Sequence, residues 1–141
     1  MNAIQSFGAA QTVTGSCHLL TIKKGPTILV DCGMFQGRTE HKSSEAFGFD
    51  PASIDLLLIT HAHLDHVGRI PKLVKEGFKG RIITTRATME LAEVVLLDSA
   101  KIAKEDYATE VKKARRRGEE KQVAEPIYTL EDVRAVFDLN V

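Results

Sequence analysis

The chain has 141 residues, enough for a single domain with a real core, and one domain is the expectation. Its 19 lysines and arginines equal its 19 aspartates and glutamates, so no overall field draws it to nucleic acid or an acidic membrane, and any polyanion site has to be local. A content of 43% hydrophobic and 27% charged residues gives no sign of disorder or a fibrous repeat. No apolar stretch approaches the roughly 20 residues of a membrane span, and "MNAIQSFG" lacks the basic start and long apolar core of a signal peptide. A cytoplasmic protein without a membrane partner is expected.

In chain order, "NAIQSFG", "SCHLLTIK" and "TILVDCG" read as hairpin-connected strands, with Leu20, Ile22, Ile28 and Val30 alternating around a Gly25-Pro26 turn. Cys17 and Cys32 form no CxxC pair and are expected to be reduced and buried in these strands. "MFQGRTEHKSSEAFGFDPASI" is polar, aperiodic and Gly-bearing, which predicts a long functional loop or lid. A third clear strand is predicted from Ile54 to Ile59. Pro71 belongs in the first turn of a helix, so that helix is predicted to start near Gly68 to Ile70 and to stop at Gly77, leaving His61 to His66 largely outside helix.

"GRIITT" reads as a further strand. From about Arg86 to Arg117 an apolar stripe of Met89, Ala92, Leu96, Ala100, Ala103, Tyr107 and Val111 recurs at spacings of three and four, as a core-facing helix requires. Its end, "KKARRRG", reads as a solvated terminus with cations near the negative dipole end rather than as a phosphate patch. Thr129 is placed to cap a last helix, with Glu131 and Asp132 in its first turn and Leu130, Val133 and Phe137 on its buried face.

The chemistry is concentrated in residues 60–66, "THAHLDH", which hold three of the five histidines. In an extended segment His61 and His63 point the same way and can grip one ion, while Asp65 and His66, where the chain turns, can reach a second ion beside it. Imidazoles and a carboxylate suit zinc, and also manganese or iron. Close imidazoles that are partly charged repel one another, and a metal is the partner that offsets the repulsion. His18 and His41 are assigned no metal: His18 is expected to be a satisfied strand histidine and His41 a solvated loop residue.

"THAHLDHVGRIPKL" resembles the HxHxDH signature of the metallo-β-lactamase superfamily. "GAAQTVTGSCHLL", "ILVDCGMFQG" and "TRATMELAEVVLLDSAKI" narrow the resemblance to its β-CASP branch of RNA-processing nucleases, over nearly the whole chain. The resemblance implies an α/β (α+β) fold that is part of an αββα sandwich with metals at one edge. It implies two zinc ions bridging a hydroxide, His61 and His63 on the first and Asp65 and His66 on the second. Asp65 is counted as catalytic as well as a ligand, and Asp31 as the carboxylate that orients the ligand set from behind. Hydrolysis of RNA phosphodiester bonds is the implied reaction.

Family members carry another histidine, a bridging aspartate, a last histidine and a β-CASP domain that closes over RNA. No histidine follows His66 here. Residues 1–141 are therefore expected to be the N-terminal portion of a metallo-β-lactamase-type domain, with the later ligand segments and the β-CASP domain lying in cis or on a second chain. One sheet's worth of strands also predicts an apolar face open to association, including a homo-oligomer. Two alternatives are a noncatalytic half-fold interaction module and a metallo-β-lactamase-fold hydrolase of a small ester or thioester.

Overall fold

The computed structural model describes residues 2–139. Five strands form one sheet in the order β1-β2-β3-β4-β5: β1 Ala3–Gly8, β2 Cys17–Thr21, β3 Thr27–Val30, β4 Leu56–Leu58 and β5 Arg81–Ile83. The first three are antiparallel, and β4 and β5 run parallel to β3. Parallel neighbours need a crossover. Residues 31–55 supply the first, and α1 (Leu64–Val67) with α2 (Ile70–Lys75) supplies the second; α3 (Arg86–Arg117) and α4 (Leu130–Phe137) complete the fold.

The period-two alternation splits the sheet into two unlike faces. Leu19, Leu29, Leu57 and Ile82 stand in register across four strands, and the last three are 0–1% exposed. They pack with Val67, Ile70 and Leu73 from the crossover, Leu96 from α3, and Val133 and Val136 from α4. On the opposite face Ile4, Leu20, Ile28 and Leu56 form one row, and Val30, Leu58 and Ile83 lie in the next. None of these belongs to the core cluster, and Ile4 is 75% and Ile83 44% exposed.

The long helix runs over the predicted span, Arg86–Arg117. Thr85 caps its start by accepting from the Thr88 amide, and Gly118 ends it in the left-handed conformation at φ 72°. Ala92, Leu96 and Ala100 of the stripe are buried. Its basic end is solvated, with Lys113 paired to Glu110 at 2.8 Å and Arg115 to Glu120 at 3.0 Å. Thr129 and Asp132 form a reciprocal capping box at α4.

Several predicted boundaries move. The strand expected over Ile54–Ile59 is confined to Leu56–Leu58: the Ile54 amide is taken by the Pro51 carbonyl of the preceding 3-10 turn, while the Asp55 and Ile59 amides still donate to Thr27 and Ile83 of the flanking strands. The loop after Gly33 contains two 3-10 segments, Gly37–Ser44 and Pro51–Ser53. Cys32 is free and buried as expected, yet it lies in the loop beyond β3 rather than in the strand. The histidine segment is not free of helix either: α1 begins at Leu64 and takes Asp65 and His66 into one helical turn, ahead of the proline-led α2.

Candidate metal centre

The site lies where parallel strands β3 and β4 end, the place at which crossovers leave a crevice in sheets of this kind. Asp31 is the first residue past β3 and only 2% exposed. Its Oδ1 accepts from the Thr60 amide at 2.9 Å; its Oδ2 accepts from His66 Nδ1 at 2.7 Å, Thr60 Oγ1 at 2.9 Å and Ser16 Oγ at 3.2 Å. Asp31 adopts φ 59°, the left-handed region that aspartate tolerates at a cost of about 1–3 kcal/mol. Its amide bonds to the Leu58 carbonyl at 2.8 Å, so the β-ladder on one side and the side-chain bonds on the other hold that conformation.

Backbone contacts lock the histidine turn to the Asp31 loop. The amides of Ser16, Cys32 and Met34 donate to the carbonyls of Asp65, His66 and Leu64 at 2.9, 2.8 and 3.0 Å. This approach requires glycine at position 33. A Cβ there would lie 1.6 Å from the Asp65 carbonyl oxygen.

The hydrogen-bond partners also assign the imidazole tautomers. An ionised carboxylate only accepts, so His66 Nδ1 donates to Asp31 and its Nε2 is left clear of that bond. The single Thr60 hydroxyl proton goes to Asp31, so Thr60 Oγ1 accepts from His61 Nδ1 at 3.0 Å and leaves His61 Nε2 free as well. The His61 ring lies 4.0 Å from that of His66 and 4.6 Å from that of His63, centre to centre, and His66 Nε2 is 3.7 Å from Asp65 Oδ2.

All four residues singled out by their spacing are thus brought together, with Asp31 directly behind them. Among the described residues no three histidine, cysteine, aspartate or glutamate side chains are gathered into a finished cage for an ion. The donor set fits a metal such as zinc by its chemistry: His61 and His66 are each hydrogen-bonded through Nδ1, beside the His63 ring and a carboxylate that is 23% exposed. His18 stands apart on the open face, bonded to Ser6 Oγ at 2.9 Å, and His41 is exposed on the first 3-10 segment. Thr60 and Ser16 were not singled out in the sequence. Thr60 adjoins the first histidine, but its part emerges only when β3 and β4 pair and place it over Asp31.

The family model described as "Metallo-beta-lactamase superfamily" matches residues 11–136. The chain belongs to this superfamily. Its relatives include Ribonuclease TTHA0252 of Thermus thermophilus, 54% identical over 104 residues that cover 74% of this chain and 24% of that protein. Cleavage and polyadenylation specificity factor subunit 3-I of Arabidopsis thaliana is 37% identical over 103 residues, covering 72% of this chain and 15% of the relative. Transcription termination factor FttA of Methanosarcina mazei is 34% identical over 103 residues, 71% of this chain and 16% of its own. The superfamily chain therefore spans a quarter or less of the length of these relatives.

Proposed function

We propose that this superfamily member is the N-terminal portion of a zinc-dependent ribonuclease of the RNA-processing, β-CASP type, and that the intact protein hydrolyses RNA phosphodiester bonds in the cytoplasm. The observation that carries the reading is the Asp31 hub. One buried carboxylate fixes His66 directly and His61 through Thr60, so that both rings turn a free Nε2 outward beside Asp65 and His63. Such outer carboxylates set the tautomer and basicity of metal-bound histidines. The ribonuclease named among the relatives, at 54% identity, supports RNA as the substrate.

His61 and His63 would hold the first zinc, and Asp65 and His66 the second. Bound there, the metals would lower the pKa of a water and stabilise charge on the phosphoryl oxygens. The chain's own part is positional. The backbone bonds from residues 16, 32 and 34 hold the histidine turn rigid, and Asp31 keeps the rings from rotating. Rigid support of this kind separates an active site from one that merely contains the right residues.

The remaining ligands and the domain that closes over RNA are proposed to come from polypeptide outside these 141 residues, in cis or as a second chain, seated on the open sheet face. The test is zinc content and RNA cleavage, measured on this chain and on the chain joined by the remaining portion. We expect the 141 residues to bind zinc weakly and to cleave no RNA. The joined protein should cleave, and His63→Ala should abolish that cleavage. Robust zinc-dependent cleavage by the 141 residues alone would show that a symmetry mate completes the site; a joined protein that binds zinc but hydrolyses only thioesters would overturn RNA as the substrate.

A further inference from the structure

Arg69 carries a positive charge in the interior without an ion-pair partner among the described residues. Its side chain is 2% exposed, its Nε donates to the Gly33 carbonyl at 2.5 Å, and its guanidinium carbon sits 4.7 Å from the Phe35 ring centre and 5.0 Å from that of Phe47. Nη2 is buried with no hydrogen-bond partner. Among the described residues no carboxylate forms an ion pair with Arg69. Lys72, one helical turn on, provides the contrast. It is 5% exposed, yet it bonds to the Glu45 carbonyl and pairs with Glu76 at 3.5 Å. Among the described residues one of these two buried cations is ion-paired and the other is not.

A buried charge left unpaired is costly, and an orphaned buried donor points to a partner from outside. Arg69 lines a cavity of about 270 Å³, under the β1–β2 loop, room for several waters or one small anion. Lys42 and Thr12 line the same cavity, and Lys42 is exposed at its edge, 6.0 Å from the Phe35 ring centre. None of Asp31, His61, His63, Asp65 or His66 contributes to it. The aromatic rings hold the guanidinium in place but cannot neutralise it. Glu45 also lines the cavity, and among the described residues its exposed carboxylate forms no ion pair with Arg69.

We propose that Arg69 and Lys42 form an anion subsite for a phosphoryl group, held apart from the histidine cluster. Two cations suit a doubly charged phosphate, and the planar fork of Arg69 matches adjacent phosphoryl oxygens. The subsite does not depend on the metal-centre reading, since it shares no residue with it.

The probe is inorganic phosphate, titrated into the 141-residue chain in the presence of EDTA, with sodium chloride and sodium acetate at matched ionic strength as controls. Phosphate should bind saturably by calorimetry, and His63→Ala should bind it equally well. Arg69→Met should abolish the saturation while circular dichroism confirms the fold. Lys42→Ala alters only an exposed side chain, so it remains decisive if Arg69→Met does not fold, and it should weaken binding about tenfold. Non-saturable binding, an unchanged Lys42→Ala, or acetate as effective as phosphate would overturn the proposal. So would phosphate binding that appears only in Glu45→Gln, because Glu45 would then be the internal counter-ion.

Discussion

The two faces of the sheet are made of the same kinds of residue and meet different fates. Leu29, Leu57 and Ile82 on one face are sealed beneath helices, whereas Ile28, Leu56, Leu58 and Ile83 on the other lie half covered or exposed. Each pair of neighbours along a strand differs only by the pleat. Apolar pattern alone therefore states that a strand is buried on both sides, as strands of parallel sheets usually are; it does not state which polypeptide does the burying. The covered face is satisfied by this chain, and the open face carries an apolar surface that a monomeric domain ordinarily avoids.

The sharpest way to break the comparison is to truncate neighbours on β4. Leu57→Ala leaves a cavity in a site with no solvent contact and should cost about 2–5 kcal/mol in urea unfolding. Leu56→Ala removes the same atoms from the open face and should cost about 1 kcal/mol or less in the isolated chain. Equal losses would mean that the open face is covered in solution. A charge tests that alternative directly. Leu58→Glu in the second open row should leave the circular dichroism spectrum unchanged and reduce self-association at high concentration in sedimentation velocity. An unchanged oligomer would place any interface elsewhere.

Asp31 tests the edge where the two faces meet. Asp31→Asn keeps the shape but replaces one accepting oxygen with a donor, so His66 or Thr60 loses its acceptor. Zinc affinity, read by competition with a chromophoric chelator, should fall about 10- to 100-fold. Unchanged affinity would remove Asp31 from the assembly of the site.

The elements most legible in the sequence are those whose signals are local. The long helix was readable because its apolar stripe from Met89 to Val111 recurs at spacings of three and four, and the structure adds the Thr85 cap and the left-handed Gly118 at its ends. The clustering of His61, His63, Asp65 and His66 was readable because their spacing is short. Less legible were features that depend on long-range pairing. The helical turn at Leu64–Val67 is fixed by amides from residues 32 and 34, which no pattern near the histidines announces. Thr60 and Ser16 acquire their roles only because Asp31 takes a left-handed conformation and points its carboxylate between them. Arg69 was read as part of a helix start, and its burial between two phenylalanines from the preceding loop could not be inferred from spacing.

The smallest expected effect concerns alkaline pH and belongs to the covered side alone. Burial pushes the Cys32 thiol well above its ordinary 9.0, and burial likewise raises the Tyr128 phenol above 10.0 despite its bond to Ser99 at 3.1 Å. Cys17 moves the other way, drawn down chiefly by the hydrogen bond from Cys32, and offsets part of the effect. For a group whose folded pKa is raised, the unfolded chain releases its proton first. The stabilising contribution is full below the unfolded value and is lost as pH rises through the folded one. Stability measured by urea unfolding should therefore hold to about pH 9 and decline above it, more steeply past pH 10 as Tyr128 joins. Tyr128→Phe should flatten the steeper part, because phenylalanine fills the same space without an ionisable group. An identical alkaline slope in wild type and Tyr128→Phe would show that the decline arises elsewhere, and that Tyr128 is less sealed than its 2% exposure implies.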